Sequence, residues 1–150
     1  RQVKMHPMEP EWMMASHLSD GCHNVAERKN CSLDVFLTTD LGRRWRPITS
    51  YVAQFDWAPS VDGVIRPGYS RESIFIVAYH DKHGNQPFGV WSSRADMVRS
   101  DDLWASHYTL LPRGNRFLFL DKFLFVAVVH KHHENQAPPG PTATRHPCAP

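Results

Sequence analysis

The chain has 150 residues, 41% of them hydrophobic, which is enough for one domain or part of one. Seventeen Lys and Arg against fifteen Asp and Glu leave a net charge of +2 without a dense basic run, so the composition argues against nucleic acid as a partner. Ten histidines and three cysteines share no metal-ligand spacing, no cofactor motif stands out, and no apolar run approaches a membrane span; neither a metal nor a cofactor is expected.

The chain carries no apolar leader, as expected of a cytosolic protein or of an excerpt of a longer one, and its opening on Arg1 rather than Met favours the excerpt. His6-Pro7 and Glu9-Pro10 predict an extended or turning start, and residues 11–16 a short apolar strand. A polar loop follows over residues 19–29. Cys22 and Cys31 flank most of it, and pairing them would close a loop with little apolar content of its own, a link worth roughly 2–3 kcal/mol by chain entropy. Two reduced, unrelated thiols are the other reading that the spacing allows. Asn30-Cys31-Ser32 formally fits a glycosylation sequon, with which a disulfide at Cys31 would compete.

Residues 33–38 read as a strand, and Thr38-Thr39-Asp40-Leu41-Gly42-Arg43-Arg44-Trp45 then fits S/T-x-D-x-G-x-x-W, the Asp box that marks a hairpin in a β-propeller blade. The chemistry is that of a turn. The Asp40 carboxylate can accept backbone N–H groups, Gly42 can take φ > 0, Thr38 adds a hydroxyl, and Trp45 is expected to fold under the turn into the blade core. A turn-locking role for Asp40 outweighs a catalytic one because its bonding options are local. Residues 45–51 and 52–57 continue as strands, with Pro47 tolerable at an edge or bulge.

Residues 58–73, with two Pro and two Gly, predict a loop, and 73–79 the strongest strand by β-branched and aromatic content. A turn at 81–85 and a returning strand at 88–91 suggest a second hairpin without an Asp box. Residues 100–104 read as a turn or the start of a short helix. Further strands are expected at 110–111, 116–120 and 123–129, the last continuously apolar and so expected to be buried on both faces. Residues 131–150 are Pro-rich and polar and predict a disordered tail. No helical period stands out, so the fold class is all-β: a partial β-propeller over residues 1–130 and the tail over 131–150.

The ordered combination of His6-Pro7, residues 12–16, the Cys22 and Cys31 pair, residues 34–45, residues 52–57 and Asp121-Lys122-Phe123-Leu124-Phe125-Val126-Ala127 resembles the VPS10 domain of sortilin-type sorting receptors. Residues 84–91 are similar to sortilin-like receptors of apicomplexan parasites. The resemblance implies two to three blades of a ten-bladed propeller on the luminal side of Golgi and endosomal membranes. It implies protein or peptide cargo as the partner and no enzymatic activity, so no catalytic residue is assigned. It also favours a Cys22–Cys31 disulfide. Membrane association would come from parts of the parent receptor outside this chain: the cysteine-rich module, membrane span and sorting tail are not in it. The Pro-rich end departs from a continuing blade.

A sialidase-like glycoside hydrolase is the alternative, because such propellers also carry Asp boxes. Arg43, Arg44, Arg46, Tyr51, Glu72 and Asp101 supply its residue types, though surface charge accounts for them more simply. Trp57, Trp91 and Trp104 are expected in blade cores rather than as ligand platforms. His17, His23, His80, His83 and His107 are candidates by type alone for acid-dependent release, with solvated loop positions as the simpler account.

Overall fold

The structure, a computed structural model, describes residues 2–19, 32–79 and 95–128. Cys22, Cys31, Asn30, His23, His80, His83, Trp91 and the tail lie outside these residues, and the disulfide, sequon and tail expectations with them.

Among the described residues every regular element is a strand. The strands are β1 (Gln2–Met5), β2 (Met13–Leu18), β3 (Leu33–Thr38), β4 (Arg46–Thr49), β5 (Val52–Trp57), β6 (Ser60–Val61), β7 (Val64–Ile65), β8 (Ile74–Tyr79), β9 (Ala95–Ser100), β10 (Tyr108–Leu111), β11 (Gly114–Leu120) and β12 (Phe123–Val128). β1-β2-β3-β4 form one antiparallel sheet and β5-β8-β9-β10 a second. β11-β12 begin a third. These are two four-stranded propeller blades and the opening hairpin of another.

Side-chain alternation explains the stacking. Phe55, Trp57, Ile74 and Ile76 of the second blade pack with Met14, Val35 and Leu37 of the first in one buried cluster. Phe75, Val77 and Met97, on the other face, pack with Phe117 in a second cluster, joined by the half-buried Phe119, Leu124 and Val126. Each cluster is therefore the seam between neighbouring sheets.

Several expectations are corrected. β1 is a strand, paired Gln2 to Ser16 and Met5 to Met13, where only an extended start was expected. β8 pairs with β9, a strand that the sequence did not suggest, with Ile74 opposite Ser100 and Tyr79 opposite Ala95; the returning strand expected at 88–91 lies outside the described residues. Residues 58–73 are not all loop: β6 and β7 form a small hairpin through Asp62 (φ +51°) and Gly63 (φ +73°), the positive pair that a type I′ turn requires. β12 is not buried on both faces. Leu124 and Val126 face the second blade, while Phe123 and Phe125 are exposed because the two-stranded sheet is covered on one side.

Candidate functional site

Two constructions position the chemistry-bearing side chains: the turns joining the third and fourth strands of each blade, and the row of first strands.

In the first blade, Thr38 Oγ1 accepts the Gly42 N–H at 3.0 Å and donates to Asp40 Oδ1 at 2.9 Å. Asp40 Oδ1 also accepts the Arg44 N–H at 2.9 Å, and Oδ2 takes the Arg44 guanidinium Nε–H at 2.9 Å. The Arg44 side chain, followed by its backbone N–H, holds the Asp40 carboxyl down to about 2, so it stays ionised. Leu41 (φ +57°) and Gly42 (φ +82°) reverse the chain, and Leu41 N–H is anchored on Glu11 O at 2.9 Å. Trp45 does not fill the blade core as expected. It is 41% exposed, with its indole against Gly42, because the strand resumes only at Arg46.

Residues 100–107 repeat this network bond for bond. Ser100 Oγ accepts the Trp104 N–H at 2.9 Å and donates to Asp102 Oδ1 at 2.8 Å, while the Ser106 N–H reaches Asp102 Oδ1 at 2.8 Å. Ser106 Oγ donates to Asp102 Oδ2 at 2.5 Å in place of the arginine, and its hydroxyl and N–H lower the Asp102 carboxyl below its ordinary value. Leu103 (φ +53°) and Trp104 (φ +68°) stand where Leu41 and Gly42 do, and Leu103 N–H is anchored on Glu72 O at 3.1 Å. The segment is a second Asp box, the turn rather than the helix start of the two expected forms, and it joins β9 to β10 in the second blade, a different hairpin from the one expected over residues 73–91. Its disguise is an exchange of side chains: the buried Trp104 occupies the glycine position, and His107 stacks on it at 4.9 Å from the position of Trp45. The shared signal is Asp-Leu preceded two residues earlier by a hydroxyl, 62 positions apart by numbering (102 − 40).

The boxes absorb most residues of hydrolase type. Arg44 is held by Asp40, and Arg46 donates to Leu103 O of the second box. Asp101 accepts Ser73 Oγ at 2.6 Å and Arg99 Nε at 2.9 Å. Tyr51 bonds Tyr79 through the backbone at 2.9 Å. Among the described residues, no hydrogen bond or ion pair joins Arg43, Arg44 or Arg46 to Tyr51, Glu72 or Asp101.

The first strands of the three sheets are linked side by side. Lys4 Nζ pairs with Asp56 at 3.0 Å, and the Trp57 indole N–H donates to Lys4 O at 3.0 Å. The Gln54 amide then bonds the Phe117 backbone twice, Nε2 to O at 2.7 Å and Oε1 from N at 3.0 Å, as one more strand would. His6 clamps the end of β1. Its Nδ1 accepts the Met8 and Glu9 N–H groups at 3.0 and 2.9 Å, its Nε2–H donates to Arg71 O at 2.7 Å, and its ring lies edge-on to Trp12 and Trp57. Sequence reading placed His6 in a turning start and among the segments of the family resemblance, without this clamping role.

A cleft of about 290 Å³ opens beside the ends of these strands, lined by Met5, Asp56, Trp57, Ser60, Val61 and Phe119 among others. Its lining mixes apolar side chains with the carboxylates of Asp56 and Asp121, which are already paired with Lys4 and Arg66. Such a surface can take an extended segment of mixed polar and apolar character. A smaller cleft of about 240 Å³ lies at the first Asp box between Asp40, Arg44, Trp45 and Arg46. Among the described residues no group of three His, Cys, Asp or Glu could hold a metal, and no helix is long and apolar enough to cross a membrane.

The family model described as Sortilin, neurotensin receptor 3, matches residues 1–138. Vacuolar protein sorting/targeting protein 10 of Mycosarcoma maydis is 25% identical over 125 residues, which is 83% of this chain and 8% of that protein. The protein of the same name from Laccaria bicolor is 27% identical over 107 residues, 71% of this chain and 7% of that protein. The chain thus spans less than a tenth of the relatives that it matches.

Proposed function

Because the chain belongs to the Sortilin-Vps10 family, matched from residue 1 to 138, we propose that it is a ligand-binding segment of a sorting receptor. Its work on this reading is to hold protein or peptide cargo, not to transform it. The cargo is of the secretory pathway, carried on the luminal side of Golgi and endosomal membranes. Two relatives named for vacuolar sorting and targeting support the pathway. The family match carries the reading, and on it we assign the cargo to the cleft between Met5, Trp57, Ser60 and Phe119.

A displayed random-peptide library selected on the chain tests this. Binders are expected to combine apolar and polar residues, and to be lost when Ser60→Trp fills the cleft and kept when Arg43→Ala changes the exposed turn. Binders indifferent to Ser60→Trp, in a variant with unchanged circular dichroism, would contradict the placement. Turnover of a fluorogenic sialoside would contradict the class.

A further inference from the structure

The small hairpin of β6 and β7 brings an open strand edge to the larger cleft. It pairs Val61 with Val64 across the Asp62-Gly63 turn, and Ser60 with Ile65 one step further from it. In an antiparallel ladder the pair flanking a two-residue turn exchanges its N–H and C=O bonds, and the next pair turns those groups outward. The Arg66 N–H, bonded to Pro59 O at 3.0 Å, resumes the ladder beyond Ser60 and fixes this alternation. The Ser60 N–H and C=O therefore point away from β7. Among the described residues, no turn, loop or side-chain group bonds either of them.

That edge faces the cleft. Pro59, Ser60 and Val61 all line it, and among the described residues none of β7 does. Side chains alternate between the two faces of a strand, so three consecutive residues share a cleft only along the edge. The hairpin connects β5 to β8 within the middle sheet, and the cleft draws on all three sheets, through Met5 of β1, Trp57 of β5 and Phe119 of β11.

We infer that the cleft takes its peptide in extended form, as a strand added to β6, with the Ser60 N–H and C=O bonded to the peptide backbone. This rests on the assignment of cargo to the cleft. An extended segment is the occupant that fits, because an N–H and a C=O set side by side on one residue match the complementary pair on the main chain of a neighbouring strand. The segment's own side chains alternate, so one set meets Trp57 and Phe119 while the other meets the polar margin. β6 is two residues long. It fixes the register of one segment without offering the long edge on which chains stack.

The probe is a peptide selected from the displayed library on the 150-residue chain, its affinity read by isothermal titration calorimetry. Ser60→Pro removes the outward N–H but no bond within the hairpin, and should weaken binding about tenfold, the weight of one backbone hydrogen bond. Ser60→Ala keeps both backbone groups and should bind as the unmodified chain does. N-methylation of the peptide amides, one at a time, leaves the protein untouched. A loss of about tenfold is expected at the amide that faces Ser60, with the amides directly before and after it indifferent. Peptides that are lost with Ser60→Trp but are indifferent to Ser60→Pro, or to N-methylation at every position, would overturn the strand pairing and leave the cleft assignment standing. Selection of no peptide, or of peptides indifferent to Ser60→Trp, would overturn both.

Discussion

Thr38 and Ser100 each satisfy the N–H of the residue at the sharpest point of a turn, Gly42 in one box and Trp104 in the other. Thr38→Val keeps the shape and removes the acceptor, and leaving a nearly buried N–H unpaired costs about 1–3 kcal/mol; chemical denaturation should read a loss in that range, and Ser100→Ala a comparable one. Asp40 owes its low pKa first to Arg44, so Arg44→Ala should raise the carboxyl from about 2 toward 3.8 in an NMR titration. Trp104 sets two effects against each other. Trp104→Gly would relieve a left-handed backbone worth about 1–2 kcal/mol but empty a core site worth about 3–5, so net destabilisation of roughly 2 kcal/mol is expected in the same assay. His6 is neutral by construction: a proton on Nδ1 would displace two N–H donors, and burial between two indoles lowers its pKa. The unfolded chain therefore takes up the proton first. The His6 contribution is complete above about pH 6.5 and lost as pH falls toward the lower folded value. Charged groups facing it are Glu9 and Arg71, themselves paired at 3.0 Å. The denaturation midpoint should drop from pH 7.5 to pH 5, and His6→Asn, which keeps an acceptor but cannot titrate, should lessen the drop.

At the scale of elements, the Asp40 box was legible in the sequence because all its consensus residues stand in place, and the Asp102 box was not because tryptophan holds the glycine position. Only a backbone held at φ +68° by the surrounding bonds reveals the equivalence. The Asp62-Gly63 hairpin was legible in principle, since Asp-Gly between valines is a strong turn signal, but the surrounding Pro and Gly masked it. β9 escaped because Ala95-Asp96-Met97-Val98-Arg99-Ser100 buries Ala95 and Met97 but carries charges between them, so its composition alone is not strand-like. Nor does the sequence indicate how closely β11 approaches β9. A Cβ on Gly114 would lie 2.8 Å from Met97 Cβ, a rigid neighbour in a buried cluster. Gly114→Ala should therefore cost about 1–3 kcal/mol by overpacking, read as a lowered denaturation midpoint.

At the scale of the whole molecule, alternating strands, turn residues and one Asp box sufficed for a propeller, whereas the site could not be read in advance. The cleft beside Met5, Trp57 and Phe119 brings together residues from three sheets, and no local spacing encodes which first-strand side chains meet. The links between sheets are few and polar. Lys4–Asp56, about a third exposed on both sides, contributes about 1 kcal/mol at most, so the apolar seams carry the stacking and the polar links fix its register. These sheets dock as successive blades, and the Trp57 indole N–H, bonded across the first seam to Lys4 O, reports on that docking directly. Hydrogen exchange of the assigned indole protons by NMR is the measurement that reads it. Trp57 is expected to exchange only with unfolding while the exposed Trp45 exchanges freely; a Trp57 indole that exchanges as fast as that of Trp45 would contradict the docking.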